Sequence, residues 1–591
     1  MTDISIDDCR PLPVSWKECL SRGWTDIDIL LVTGDAYIDH PSFGIALIGR
    51  VLEDSGYRVA VLQQPHYHNS DDFKKFPPPN LFCGISAGNL DSIVANYSGN
   101  GKVRNSDAYS PEGNPWRGSK RSKTERRRPD RACLIYTNLA RSAYPGVPIV
   151  LGGIEASLRR FVHYDYQQHR LRASFLTDAK ADLLVYGMGE KSIREIAKRC
   201  ENHQNLASIS GTCQRLTDKE LHTQFPDIPE NSSRKFLILP SHQEISKNKK
   251  LFLDAEIEIN KHAKAYSNRI ILQRQQSHWL VQYPAQAPLS PDELDILYHY
   301  PYSRKPHPTA RKVPAYAMIK DSITIVRGCS GNCSFCAITN HQGPAIISRS
   351  RKSIRQECEQ VSRTNDFSGT ISDLGGPTAN LYGTHCKIGS CKKHDCLYPK
   401  LCPNLILDEA LFLKLLEDVS NIKNVKHLFI SSGLRMELLL RTPTLLKVLI
   451  RKHTPGSMKI APEHTDDELL ELMHKEPHTL LKTFIADCKK ISKDIGRKIT
   501  FTPYIITSHP GSTETHAQTL VRDINELGLQ VKKFQDFTPT PGTLSTAMYV
   551  TGLSAYSKKQ IPIPCNQADR NRQRRIVEQS FHTKQKKRKN R

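Results

Sequence analysis

Six short apolar stretches recur between residues 322 and 537, and each is followed by a segment with the spacing of an amphipathic helix. The stretches are SITIVRG (322–328), GTISDLG (369–375), HLFISSG (427–433), SMKIAP (457–462), ITFTPYII (499–506) and VKKFQDF (531–537). Between them, LFLKLLEDVS (411–420) and TLLKTFIADCKKISKD (479–494) place apolar residues on one helical face. Regular strand–helix alternation predicts parallel strands, and six such units in series predict a barrel or a partial barrel.

The residues that end these stretches are glycine, proline and polar side chains. The ends read RGC, LGGP, SSGLR, APEH, SHPG and TPTPG. In barrels of parallel strands, the groups that do chemistry lie at the carboxyl ends of the strands. Glycine and proline are also ordinary turn residues, so a purely structural interpretation of these ends stays open.

The first strand end continues into VRGCSGNCSFC (326–336), where Cys329, Cys333 and Cys336 have the spacing C-x3-C-x2-C. A closed zinc or iron–sulfur site has four protein ligands. Three thiolates can hold three irons of a [4Fe–4S] cube and leave the fourth iron open to a small molecule. The spacing therefore predicts an open cluster that binds a substrate and passes it an electron, with a structural metal site as the alternative.

A second group of cysteines lies in HCKIGSCKKHDCLYPKLC (385–402), between the second stretch and its helix. Four cysteines within 17 residues predict a second metal site. His385 and His394 are alternative ligands. The metal is either zinc or an iron–sulfur cluster, and the site is either an auxiliary cluster or a metal staple for the loop. Its predicted cysteine ligands are Cys386, Cys391, Cys396 and Cys402.

The first third of the chain also alternates between strand and helix patterns. DILLVTG (28–34), IALIGRVLEDSG (45–56) and YRVAVL (57–62) have the pattern of a βαβ unit. LFCGISAG (81–88) and ADLLVYGMGE (181–190) repeat the short strand that ends in glycine. These stretches predict an open, mostly parallel α/β sheet from residue 1 to about residue 205.

The charge of the chain is strongly positive. Lys and Arg outnumber Asp and Glu by 84 to 60, and the net charge is +24. The basic residues concentrate in GSKRSKTERRRPDR (118–131) and in the last 22 residues (570–591). Such patches attract nucleic acid weakly or are simply solvated, disordered segments. We find no apolar run of about 18 residues and no secretory signal, which predicts a cytoplasmic protein without a membrane contact.

The three-cysteine stretch resembles the motif of the radical S-adenosylmethionine (SAM) superfamily, in which an aromatic residue precedes the last cysteine, as Phe335 does here. Longer segments resemble the YgiQ-type radical SAM proteins more closely. They are LGGIEASLRRFVHYDY (151–166), ADLLVYGMGEKSI (181–193), ISDLGGPTANLYG (371–383), KIAPEH (459–464) and ITSHPGS (506–512).

This resemblance implies a [4Fe–4S] cluster on Cys329, Cys333 and Cys336, with SAM bound to the open iron. It implies reductive cleavage of SAM to methionine and a 5′-deoxyadenosyl radical, which takes a hydrogen atom from a substrate. The cofactor carries the difficult chemistry, and the protein supplies orientation and excludes water. The substrate is unknown, and the partner that supplies electrons is expected to be of the flavodoxin or ferredoxin type.

The resemblance also implies positions for SAM. In the superfamily, two glycines at the end of the second strand bond the SAM amino group through the backbone, and Gly375 and Gly376 occupy that place. Pro377 stands where a glutamate is usual. Further contacts to SAM or substrate are expected after strands three and four, with hydrogen-bonded turn residues as the alternative. The residues concerned are Ser432, Arg435, Glu463 and His464.

These expectations divide the chain into an open α/β domain of the cobalamin-binding-like type (1–205), a connector or cap (206–316), a radical SAM core (317–556) with a cysteine-rich insertion (384–404), and a basic disordered tail (557–591). Cobalamin itself is not expected. The histidine motif D-x-H-x-x-G is absent, because Asp39 and His40 have the wrong spacing. The alternative function is a metal-stapled, basic nucleic-acid adaptor, which explains the charge but not the barrel, the three cysteines and the glycine pair together.

Overall fold

A computed structural model of the chain describes residues 5–118, 121–226, 228, 235–262, 267–389, 395–531 and 534–589. The chain forms two units, Met1–Leu289 with Asp295–Lys320 and Ser290–Leu294 with Asp321–Arg591. Each unit is described by itself below.

The first unit is built on one mixed sheet. Its strands are β1 Ile29–Thr33, β2 Val59–Gln63, β3 Phe82–Ser86, β4 Ile149–Leu151, β5 His163–Asp165, β6 Arg170–Arg172, β7 Leu183–Val185, β8 Thr212–Leu216, β9 Phe236–Leu239, β10 Ile270–Gln275 and β11 His278–Gln282. Nine of these strands form the sheet, in the order β2-β1-β3-β4-β7-β8-β11-β10-β9, and β5 and β6 form a separate antiparallel pair. From β2 to β7 all neighbours are parallel. The predicted open, mostly parallel α/β sheet is therefore confirmed.

Helices follow the parallel strands of this sheet. The helices up to residue 320 are α1 Trp16–Ser21, α2 Gly44–Asp54, α3 Ser92–Asn96, α4 Ala132–Ala143, α5 Gly153–Leu158, α6 Phe175–Ala179, α7 Glu190–Glu201, α8 Asp218–Gln224, α9 His242–Lys247, α10 Lys250–His262, α11 Pro291–Tyr298 and α12 Pro314–Ile319. Helix α2 shows why they dock: Leu47 and Val51, one turn apart, are both buried.

The region 206–316 differs from the predicted connector. Strands β8 to β11 lie in it, and they extend the sheet of the first unit instead of forming a separate cap. Their interior is partly polar, since Gln273, Gln275 and Gln282 are buried. The Gln275 side-chain oxygen accepts hydrogen bonds from the Ser174 backbone N–H at 3.0 Å and the Thr177 hydroxyl at 2.8 Å. Buried amides satisfied in this way remove the apolar alternation by which a strand is recognised.

The second unit carries the six strands of the predicted series. Its strands are β12 Ser322–Thr324, β13 Val326–Arg327, β14 Ile347–Ser348, β15 Thr370–Ile371, β16 Asp373–Gly375, β17 His385–Cys386, β18 Leu405–Ile406, β19 His427–Leu428, β20 Met458–Glu463, β21 Phe501–Thr507 and β22 Gln535–Asp536. The pairs β12–β16, β15–β19, β20–β21 and β21–β22 are parallel. A parallel bridge between Leu434 and Ile460 joins the third segment to the fourth. Successive segments are neighbours, which confirms the partial (β/α)6 barrel.

Helices separate these strands, as the sequence pattern predicts. They are α13 Ile338–Gln342, α14 Arg351–Ser362, α15 Glu409–Ser420, α16 Met436–Leu439, α17 Pro443–Val448, α18 Asp467–Leu472, α19 His478–Asp494, α20 Glu514–Glu526, α21 Leu544–Thr551 and α22 Gln567–Lys589. In α15, Phe412, Leu415 and Val419 are buried on one face, and each contributes about 1.5–3 kcal/mol by leaving water. None of the helices in the described ranges is both long and apolar enough to cross a membrane.

Part of the predicted disordered tail (557–591) forms a helix that packs on the second unit. Helix α22 begins at Gln567 and packs on α20. Val577 is fully buried, and the Gln573 side chain accepts a hydrogen bond from the Ser512 hydroxyl at 2.8 Å. Basic residues outnumber the few positions of this helix that pack, so composition alone predicted disorder.

Candidate functional site

The three predicted cluster ligands lie on one loop of the second unit. Cys329, Cys333 and Cys336 follow β13 and precede α13, and their thiols are half-buried and form no disulfide bond. The loop begins at Gly328, whose φ is +80°. A Cβ at this position would collide with the carbonyl oxygen of Ala345. Glycine is therefore required where the chain leaves the barrel strand.

The middle of this loop is anchored at two places. The Ser334 backbone N–H donates to the carbonyl oxygen of Met473 at 3.1 Å, and the Ser545 N–H donates to the carbonyl oxygen of Ser334 at 2.9 Å. The Phe335 ring, the predicted aromatic neighbour of the last cysteine, meets the His509 ring edge-on at 6.5 Å. These contacts fix the loop against the ends of the fourth and later barrel segments.

The loop environment disfavours thiolates in the protein alone. Burial raises the pKa of Cys336 to about 12, and the neighbouring Cys333 thiol raises it further. Burial also raises the pKa of Cys333, while the Arg435 guanidinium opposes this change. Thiolates in such surroundings need positive charge, which iron ions provide. Three half-buried thiols on one loop fit the ligand set of an iron–sulfur cluster. Among the described residues, no three His, Cys, Asp or Glu side chains stand at the spacing of a single-ion site.

Gly375 and Gly376 stand at the end of β16, beside the strand that leads into the cysteine loop. The Gly375 carbonyl oxygen accepts a hydrogen bond from the Ile325 N–H at 2.8 Å. A Cβ on Gly375 would collide with the Ser432 hydroxyl, and one on Gly376 would lie 2.5 Å from the carbonyl oxygen of Val326. Close packing therefore explains both glycines, against side chains at Gly375 and against the backbone at Gly376. Their contact with SAM stays a prediction.

Ser432 has a partner that the sequence did not suggest. Its hydroxyl donates to the Asp373 carboxylate. The backbone N–H groups of Ser431 and Ser432 donate to Oδ1 of the same carboxylate at 2.7 and 3.0 Å. Asp373 lies two residues before the glycine pair and ties the second strand to the third. The Ser432 hydroxyl is thus engaged, and its predicted contact with SAM remains untested.

Arg435 lies against the cysteine loop. Its Nη1 is 3.8 Å from the Cys333 sulfur, and its Nη2 is 3.7 Å from a carboxylate oxygen of Glu476. Its Nε donates to the Glu437 carboxylate. The Asn380 side chain bonds both the backbone N–H and the carbonyl oxygen of Arg435, at 3.0 and 2.9 Å. The guanidinium therefore faces a predicted cluster ligand, and its expected contact with SAM or substrate stays a prediction.

Glu463 and His464 follow strand β20 but have different surroundings. Glu463 ends a β-bulge and has a φ of +64°, which is uncommon for a residue with a side chain. Burial raises the pKa of Glu463 to about 7, against the opposing effect of Lys475. His464 is buried, and its Nδ1 accepts the Asp466 N–H at 3.0 Å. Burial lowers the pKa of His464 to about 3, so this ring is neutral. It stabilises the turn by accepting the hydrogen bond from Asp466.

The second cysteine group forms a small hairpin in its described part. Cys386 pairs with Leu405 across strands β17 and β18. The Cys402 N–H donates to the carbonyl oxygen of Cys396 at 2.8 Å. The predicted ligands Cys391 and His394 lie outside the described residues. The hairpin thus brings the segment that carries Cys386 close to the segment that follows Cys402. The metal site itself stays a prediction.

This hairpin region contacts the three-cysteine loop through Asp395. The Asn332 amide donates to Oδ1 of Asp395 at 2.8 Å, and His474 Nε2 lies 3.2 Å from the same oxygen. The Tyr398 ring lies 4.1 Å from the His474 ring. Because Asn332 adjoins one predicted ligand and Asp395 adjoins another, the two cysteine groups are neighbours. Nothing in the sequence indicates this long-range pairing.

Comparison with known proteins assigns the chain to a family. The family model described as Radical SAM N-terminal matches residues 11–322. A UPF0313 protein of Thermotoga neapolitana is 41% identical over 580 residues, which cover 96% of this chain and 98% of that protein. A UPF0313 protein of Clostridium botulinum is 39% identical and covers 97% of this chain and 87% of its own length. The fold and these matches define a radical SAM protein. The chain belongs to the UPF0313 family, and the resemblance to radical SAM proteins is confirmed.

Solved structures of radical SAM enzymes resemble this chain at lower sequence identity than the UPF0313 proteins do. The methyltransferase TsrM from Kitasatospora setae, with tryptophan and a SAM analogue bound, gives a TM-score of 0.48 at 15% identity and covers 87% of this chain and 74% of its own. OxsB with aqua-cobalamin bound gives a TM-score of 0.46 at 10% identity and covers 90% of this chain and 56% of its own. Cobalamin is a property of those proteins. That this chain binds none stays a prediction.

Proposed function

We propose that this protein is a radical SAM enzyme in which Cys329, Cys333 and Cys336 hold a [4Fe–4S] cluster with one open iron. The observation that carries the proposal is the placement of three free, half-buried thiols on one loop at the end of the first barrel strand, in a chain of a radical SAM family. With SAM bound at the open iron, such a cluster would supply the electron that cleaves SAM into methionine and a 5′-deoxyadenosyl radical.

The chain's own residues perform three tasks in this proposal. Ser334, bonded to Met473 and Ser545, holds the ligand loop in place. The glycine pair lets the second strand approach the start of that loop closely, so backbone groups stand beside it. Partial burial of the loop limits the access of water, which strengthens electrostatic interactions and helps to protect a radical from side reactions.

The second cysteine group is proposed to hold its own metal, either zinc or an iron–sulfur cluster. The hairpin that joins Cys386 to the segment of Cys402 supports this proposal, as does the presence of four cysteines in a short loop. The Asn332–Asp395 hydrogen bond places this group beside the first one. A metal here stabilises the loop or passes electrons to the first site.

Release of 5′-deoxyadenosine tests the proposed function. Protein reconstituted with iron and sulfide without oxygen is mixed with dithionite and SAM, and the products are measured by mass spectrometry. Wild-type protein is expected to release 5′-deoxyadenosine, and Cys333→Ala is expected to release none because two thiolates cannot hold the open cube. Cys565→Ala, which removes an exposed thiol far along the chain, is the matched control and is expected to behave as wild type.

If wild-type protein with a full cluster releases no 5′-deoxyadenosine, the proposed enzyme activity is contradicted. The nucleic-acid adaptor would then be the better account, and steeply salt-dependent RNA binding would support it. If deoxyadenosine is released, comparison of metabolites and modified nucleosides between cells with and without the protein identifies the substrate class.

A further inference from the structure

Arg435 is held at the Cys333 sulfur by an arrangement that leaves it little freedom. Its side chain is only 10% exposed, and Nη1 lies 3.8 Å from the sulfur. Glu437 binds Nε, and Glu476 lies 3.7 Å from Nη2. We propose that Arg435 is a positioning residue that raises the reduction potential of the cluster by fixing a positive charge against a ligand sulfur. This inference rests on the proposed function.

The arginine is fixed from the backbone as well as from its tip. Asn380 closes two hydrogen bonds on the Arg435 main chain, at 3.0 and 2.9 Å. Asn380 itself is buried and follows the glycine pair in the chain. An arginine needed only to neutralise Glu437 and Glu476 would not have to be aimed at a sulfur. The clamp on its main chain directs the guanidinium towards the cysteine loop.

The cysteine loop leaves room for this guanidinium. A Cβ on Gly331 would collide with Nη1 of Arg435 and would lie 3.4 Å from the Cys329 sulfur. Gly331 does not have a positive φ, so its backbone does not lie in the left-handed region that favours glycine. The absent side chain is therefore explained by the approach of the arginine between two ligand cysteines.

The physical effect of this charge has a definite sign. A [4Fe–4S] cluster that accepts one electron from a donor becomes one unit more negative. A guanidinium is protonated at every accessible pH, and at this position it stabilises the reduced state more than the oxidised state. Hydrogen bonds to the sulfurs and nearby charge are known levers on the potential of such clusters. Removing the charge should therefore make the cluster harder to reduce.

A redox titration of the full-length reconstituted protein, followed by the signal of the reduced cluster, tests the inference. Arg435→Gln is expected to lower the ratio of reduced to oxidised cluster about tenfold at a fixed potential, which is about 59 mV for one electron. Gly331→Ala keeps every charge but displaces the guanidinium, and its midpoint is expected to shift in the same direction. Arg435→Lys keeps the charge and is expected to fall between wild type and Arg435→Gln.

The controls separate this effect from a structural one. Arg451, an exposed arginine of the same unit, provides the matched variant Arg451→Gln, which is expected to titrate as wild type. If Arg435→Gln fails to fold because Glu437 loses its arginine partner, Gly331→Ala still decides the question. If wild type and Gly331→Ala have equal midpoint potentials at equal iron content, this inference is overturned and the proposed function is not. A wild-type protein that takes up no cluster would overturn the proposed function together with it.

Discussion

Ending the chain at Asn566 removes helix α22, and this change is expected to destabilise the second unit. Val577 in this helix is fully buried. Gln573 accepts a hydrogen bond from the Ser512 hydroxyl at 2.8 Å and donates one to its carbonyl oxygen at 3.2 Å. The Arg570 guanidinium donates to the carbonyl oxygen of Phe537. The truncation therefore exposes the side of the barrel on which the helix packs.

The magnitude follows from these contacts. Burial of one valine contributes about 1.5–3 kcal/mol, and each of the two Gln573 hydrogen bonds contributes about 0.5–1.5 kcal/mol. Together they amount to about 2.5–6 kcal/mol. For a unit of this size, each 1 kcal/mol lowers Tm by about 2–4 °C. The expected loss in Tm is therefore roughly 5–24 °C.

Differential scanning calorimetry of the full chain and of two truncations measures this loss. A chain that ends at Gln579 keeps Arg570, Gln573 and Val577, and it is the control for simple removal of basic residues. We expect it to melt near the full-length protein but to elute earlier from heparin. An unchanged Tm for the chain that ends at Asn566 would refute the packing of α22 and restore the interpretation of a disordered tail.

Three further variants test separate parts of the site. Because burial raises the pKa of Glu463 from 4.5 to about 7, the folded state holds a proton there that the unfolded state has lost, so stability falls as pH rises through this range. In Glu463→Gln, the free energy of unfolding, measured by urea titrations at several pH values, should fall less with rising pH than in wild type. An equally steep fall in the variant and in wild type would contradict the raised pKa of Glu463. Gly376→Val should lower Tm as well as weaken SAM binding, because its side chain meets the Val326 backbone; weaker binding at an unchanged Tm in calorimetry would contradict this packing. In a folded variant in which the three cysteines of the first site are replaced by alanine, elemental analysis should still find metal at the second site. A metal content no higher than background would contradict the second site. The residues replaced in this variant are Cys329, Cys333 and Cys336.

Local patterns predicted the barrel well because its strands are short, apolar and separated by amphipathic helices. The region of β8 to β11 was missed since its sheet interior contains Gln273, Gln275 and Gln282, which carry no apolar alternation. Helix α22 was missed for a related reason, because only scattered positions such as Val577 pack. In both regions the information lies in partners that are distant in sequence.

The candidate site likewise combines features that the sequence predicts with features that it does not. The cysteine spacing and the glycine pair can be recognised locally, and the structure places Cys329 and Gly376 in adjoining segments of the barrel. The partners of these motifs could not be predicted. Asn380, Asp373 and Asp395 act through hydrogen bonds to residues tens of positions away, and a single sequence has no signal for such pairs.

The electron paramagnetic resonance spectrum of the reduced cluster, recorded with and without SAM, tests the central claim most directly. If Cys329, Cys333 and Cys336 leave one iron open, saturating SAM binds that iron and changes the g values of the [4Fe–4S]⁺ signal, while Cys333→Ala shows no such signal. A wild-type protein with a full cluster whose spectrum is identical with and without saturating SAM would contradict the account.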